Sequence, residues 1–186
     1  ADNVTIVDGA TVTVTASSAL CTNLTVGGGT SGILNVGGFI ITVTGTTTVM
    51  NGASLNITSA TAAKTFADVT INSGGIWNNS GSSAVTITGS ITNNGTFTSG
   101  TGTYTLSGAA KTVSGSTSPT TFGGAVAMSG TYTNNISTLT ITGVLSGAGG
   151  LTMGTSTTLN LIGATTTITT LTCTTNTPNT VVYQGT

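Results

Sequence analysis

Histidine, glutamate and arginine are absent from these 186 residues, and only Asp2, Asp8, Asp68, Lys64 and Lys111 carry a formal side-chain charge. General acid–base chemistry, metal ligation and phosphate clamping draw on the residue types that are missing. Neither an enzyme nor a cofactor is expected. A net charge of -1 leaves no basic patch to attract nucleic acid or an anionic membrane. No apolar run approaches the ~18 residues of a spanning helix, so no membrane insertion is expected. Aromatics are scarce as well: four Phe, three Tyr and one Trp cannot fill the wide core of a compact sandwich of this size.

Abundance lies elsewhere. Thr occupies 48 positions, Gly 28, Ser 19 and Asn 15. A mean hydropathy of +0.39 and many β-branched residues set the chain apart from disordered sequences. Period-two alternation recurs from end to end, as in Val12-Thr13-Val14, Leu55-Asn56-Ile57, Val85-Thr86-Ile87 and Leu159-Asn160-Leu161, and no helical period competes with it. Gly/Asn/Ser clusters such as Gly27-Gly28-Gly29, Asn51-Gly52 and Asn93-Asn94-Gly95 supply corners between these segments.

A longer period is superposed on the alternation. Val36, Ile57, Trp77 and Phe97, then Tyr132 and Met153, recur at steps of 21, 20, 20, 35 and 21. Val43, Phe66, Ile87 and Leu106, then Ile141, Leu161 and Val182, recur at 23, 21, 19, 35, 20 and 21. A third series, Val26, Val49, Ile71 and Ile91, precedes the Gly-rich corners. Such a repeat predicts an all-β, parallel β-solenoid (β-helix), three-sided and right-handed, with about eight coils of ~20 residues and no capping helix. At about 4.8 Å per coil the rod would be about 40 Å long. One domain, 1–186, is expected. The shared step of 35 predicts an irregular insertion at about 107–122, bulging from the rod. Trp77, Phe97 and Tyr132 are expected to point inward.

Several motifs bear on function. The first and last segments both read as strands, so the chain is expected either to be a slice of a longer repeat protein or to stack head to tail with copies of itself. Cys21 and Cys173 lie too far apart along such a rod for an intrachain disulfide, which needs Cα atoms within ~7 Å. They could staple a junction between subunits, or remain two buried thiols. Lys64 and Asp68 could form an exposed ion pair across a corner. Asp2 and Asp8 alone make a weak cation site. Six Asn-x-Ser/Thr sequons, at Asn3, Asn23, Asn56, Asn78, Asn94 and Asn135, are about what this composition gives by accident.

Thr-x-Thr pairs at Thr42/Thr44, Thr86/Thr88, Thr103/Thr105 and Thr140/Thr142 are expected on one face. That face resembles the flat Thr arrays of ice-binding β-solenoids, which implies a binding module for ice or a carbohydrate surface as the alternative function. Segments such as Asp68-Val69-Thr70-Ile71-Asn72-Ser73-Gly74-Gly75, Thr92-Asn93-Asn94-Gly95-Thr96-Phe97 and Tyr104-Thr105-Leu106-Ser107-Gly108 resemble the Thr/Gly/Asn-rich repeat regions of large secreted bacterial surface proteins, adhesin-like ones among them. The resemblance implies a secreted, extracellular structural protein: a filament or matrix-fibre component whose partner is itself, with surface glycans as a further contact.

Overall fold

A computed structural model describes residues 1–163 and 165–185. The chain is an all-β parallel solenoid of about nine turns, with about 21 residues per turn and no helix among the described residues. Each coil runs along three sides. The first coil lays down Val4–Ile6, Thr11–Val14 and Ser18–Cys21 in turn. Each strand then pairs in parallel with its equivalent one coil later, for example Val4 with Leu24, Val12 with Leu34 and Cys21 with Val43. Where a side passes into the next without a tight corner, a single long strand serves both, as in Ile40–Val49, Lys64–Ile71, Leu145–Met153 and Thr166–Thr172. Pairing shifts between Val43 and Thr46, and again between Gly147 and Gly150, mark the bends within them.

Alternation decides which side chains enter the core. On the first side one unbroken column runs Val4, Leu24, Thr47, Val69, Ile91, Val113, Asn134 and Met153. The third side contributes Cys21, Val43, Phe66, Ile87, Leu106 and Met128. The second contributes Val12, Leu34, Leu55, Trp77 and Phe97. Burial of these columns supplies the main stabilising term, and the ladders between coils pair the backbone groups that burial would otherwise orphan.

Residues 107–122 are not an insertion. They hold Lys111–Ser114 and Thr120–Phe122, which pair in register with Thr131–Asn134 and Thr138–Ile141 and complete a coil of their own. That coil raises the expected eight turns to nine. The step of 35 has a different cause: each apolar series changes side there. Leu106 stacks on Met128 on the third side, whereas Ile141, Leu161 and Tyr183 stack on the second. Tyr132 and Met153 stand on the first side, not with Trp77 and Phe97 on the second.

Trp77 and Tyr132 are fully buried, and Phe97 packs against the core. The aromatic side chains gather in the middle coils. Trp77 meets Phe66 edge-on at 4.9 Å and Phe97 at 6.3 Å, and Phe122 closes on Phe97 and Tyr104 at 5.3 and 5.1 Å. Trp77 Nε1–H donates to the Tyr104 hydroxyl at 3.1 Å, and burial pushes that phenol up to about 12. Tyr132 staples several coils. Its hydroxyl faces the carbonyls of Ile87 and Gly89 at 3.0 and 2.9 Å and accepts from the Gly108 N–H at 3.2 Å.

Glycine has a second role besides turning corners. Gly102, Gly124, Gly143 and Gly163 stack one per coil, and none has a positive φ. A Cβ on any of them would overlap backbone of the preceding coil: that of Ser83, Gly102, Gly124 and Gly143 in turn. The requirement here is close approach of successive coils.

Candidate functional site

The ends of the stack are where the described chain leaves interactions unfinished. Val4–Ile6, Thr11–Val14 and Ser18–Cys21 each have one paired neighbour, so their other edges present a row of backbone donors and acceptors. Val4 and Val12, both in inward columns, are 40% exposed there. Between the three strands lies an apolar hollow of about 170 Å³, walled by Val4, Ile6, Val12, Val14 and Cys21. At the opposite end Thr180–Tyr183 pairs with Thr158–Leu161, and Thr166–Thr172 with Leu145–Met153. Val181 and Tyr183, in register with the inward Leu159 and Leu161, are 36% and 50% exposed.

The corner beside the hollow is fixed by Asp8. Its Oδ1 accepts N–H bonds from Gly28, Thr30 and Ser31 at 2.7, 3.3 and 3.0 Å, tying the first coil to the second. The Gly28 and Ser31 amides lower its pKa from 3.8 to about 2. A depressed carboxyl pKa stabilises the fold above the unfolded value and stops doing so as pH falls through the folded one. Between pH 3.8 and about 2 the Gly28 and Ser31 amides should therefore lose protection from hydrogen exchange before those of the middle coils. Equal protection of both regions down to pH 2 would show that Asp8 does not hold the corner.

The other singled-out residues are dispersed. Cys21 and Cys173 are both free, in the first and ninth coils, about 34 Å apart at about seven coil spacings. Burial pushes the Cys21 thiol up, so it lacks the thiolate character of a reactive cysteine. Lys64 does not pair with Asp68. It is 1% exposed, and its ammonium donates to the carbonyls of Phe39, Thr61 and Ala62 at 2.8, 2.7 and 3.2 Å. Desolvation lowers its pKa. Asp68 instead accepts from the Ser90 N–H at 2.7 Å. Among the described residues no three His, Cys, Asp or Glu side chains cluster.

The expected Thr face is divided. Thr42, Thr65, Thr86 and Thr105 form one outward column on the third side. Thr44 and Thr88 follow that column and Thr103 precedes it, whereas Thr140 lies on the second side between Thr121 and Asn160, with Thr142 just beyond. Two ladders escaped sequence reasoning. Thr5, Thr25, Thr48, Thr70 and Thr92 stack over five coils of the first side. Asn35, Asn56 and Asn78 stack on the second, each amide donating to the one before at 3.0 and 3.3 Å. Their signal was Leu34-Asn35-Val36 recurring as Leu55-Asn56-Ile57 and Trp77-Asn78.

The outer surface thus carries columns of hydroxyls and amides. No family model matches the chain, and neither the curated proteins nor the solved structures hold a significant match to it.

Proposed function

We propose that the protein is a structural subunit or segment of an extracellular bacterial filament or matrix fibre, extended by stacking solenoid ends head to tail. One observation carries this reading: among the described residues Val4–Ile6, Thr11–Val14 and Ser18–Cys21 each pair along one edge only, around an apolar hollow. An exposed edge of this kind templates the addition of another strand. The near absence of charge supports it, because few charges stand near either end to repel a neighbouring copy: Asp2 and Asp8 are the only charged side chains before Lys64, and none follows Lys111. The secreted, adhesin-like setting rests on the Thr/Gly/Asn-rich repeat chemistry alone. The alternative, a flat Thr face for ice or a carbohydrate surface, has lost much of its motive with Thr140 and Thr142 on another side.

Concentrating the purified chain should give unbranched rods, visible by negative-stain microscopy, whose length rises with protein concentration. Monodisperse particles about 40 Å long at every concentration would overturn the proposal.

A further inference from the structure

We infer that Asn51 is a site of spontaneous deamidation, in which the Gly52 backbone nitrogen attacks the Asn51 carboxamide and a neutral corner becomes an acidic one. An asparagine followed by glycine closes this ring with least hindrance, because glycine has no side chain to shield its nitrogen. The chain has two such pairs, Asn51-Gly52 and Asn94-Gly95, and one aspartyl relative, Asp8-Gly9. All three stand at corners between strands, and the fold treats them differently.

Asn51 and Gly52 occupy the tip of a tight turn, closed by the Ala53 N–H donating to the Met50 carbonyl at 3.1 Å, with Gly52 at a φ of +71°. Both residues are exposed. The Asn51 side chain lies against Gly74 of the next coil, and its carboxamide makes no hydrogen bond among the described residues. Asn94 is half-buried, and its Oδ1 accepts from the Ser116 N–H at 2.8 Å and the Ser116 hydroxyl at 3.0 Å. The Asp8 carboxylate is held ionised by the Gly28, Thr30 and Ser31 amides, and in that form it has no good leaving group.

The attacking nitrogens of the two asparagine pairs are restrained alike. The Gly52 N–H donates to the Gly74 carbonyl at 3.0 Å and the Gly95 N–H to Asn93 Oδ1 at 3.2 Å, so each must release one bond. The carboxamides decide the outcome. Asn94 must also break its bonds to Ser116 before its carbonyl carbon can turn toward Gly95, which slows ring closure there about tenfold or more.

In the reaction the Gly52 nitrogen bonds to Asn51 Cγ, the Cγ–Nδ2 bond breaks, and Nδ2 leaves as ammonia with the Gly52 proton. Water then opens the five-membered imide at either carbonyl, giving aspartate or isoaspartate. Either product adds a negative charge to a chain whose net charge is -1. Isoaspartate also lengthens the main chain by a methylene, within the turn that ties the third coil to the fourth through Gly52 and Gly74.

The test incubates the full chain in mildly alkaline buffer, folded in one arm and in urea in the other. Unfolding and cleavage after Lys64 and Lys111 then place Asn51 and Asn94 on separate peptides for mass spectrometry. In the folded arm residue 51 should gain about one dalton, with fragment masses locating it, about tenfold faster than residue 94. In urea the two rates should converge, because the Ser116 bonds are gone. An Asn51 that converts only in urea, an Asn94 that keeps pace in the folded chain, or a lag at Asn94 that persists in urea would each overturn the inference.

Discussion

Trp77→Ala should remove about 4 kcal/mol of stability, the range for emptying a fully buried tryptophan site. Trp77 has no exposed surface and lies between Phe66 and Phe97 at the centre of the stack. Truncation leaves a void beside three rings and deprives the buried Tyr104 hydroxyl of one of its two donors, Trp77 and Asn79. The geometry makes the loss more than local. In a solenoid each coil rests only on its neighbours, so a weak coil in the middle uncouples the two ends. Urea unfolding followed by backbone circular dichroism should show a lowered midpoint and a transition that broadens or splits. A single sharp transition shifted by less than about 1 kcal/mol would mean that the aromatic centre does not couple the coils.

Gly143→Val should cost about 3 kcal/mol, the upper part of the range for overpacking. The added Cβ would lie 2.5 Å from both the amide nitrogen of Ala125 and the carbonyl carbon of Gly124. Those atoms belong to the backbone of the preceding coil and cannot swing aside as a side chain would. Gly37→Ala is the matched control, since its Cβ would meet nothing within 4 Å and its φ is not positive. Thermal unfolding of the two variants should place Gly37→Ala near the parent and Gly143→Val well below it. Equal melting of the pair would show that the corner column tolerates a wider coil spacing.

The contrast between those glycines measures how far the sequence can be read. Alternation fixes which side chains point inward, and a repeat near 21 residues fixes that coils stack, so Val43, Phe66, Ile87 and Leu106 emerge as a true column. Alternation does not say which side of the triangle a strand lies on. All three sides bury the same Val, Ile and Leu, and a series can pass from one to another unnoticed, as it does between Leu106 and Ile141. That passage made the sixth coil look like an insertion and gathered Thr140 with Thr86. Lys64 was misread for a different reason. A lysine among polar corners suggests solvent, yet its backbone position is an inward one between Ile41 and Val85, and three carbonyls take the place of the missing carboxylate. The first and last strands, Val4–Ile6 and Thr180–Tyr183, were legible because both are runs rich in β-branched residues.

The ladders between coils have a mechanical consequence. Their hydrogen bonds point along the length of the stack, so a pull applied to its two ends strains them one coil at a time rather than all together. Each coil that lets go would exchange about 5 Å of rod for about 70 Å of slack chain. A tether built this way yields by paying out thread gradually and absorbs a sudden tug without snapping.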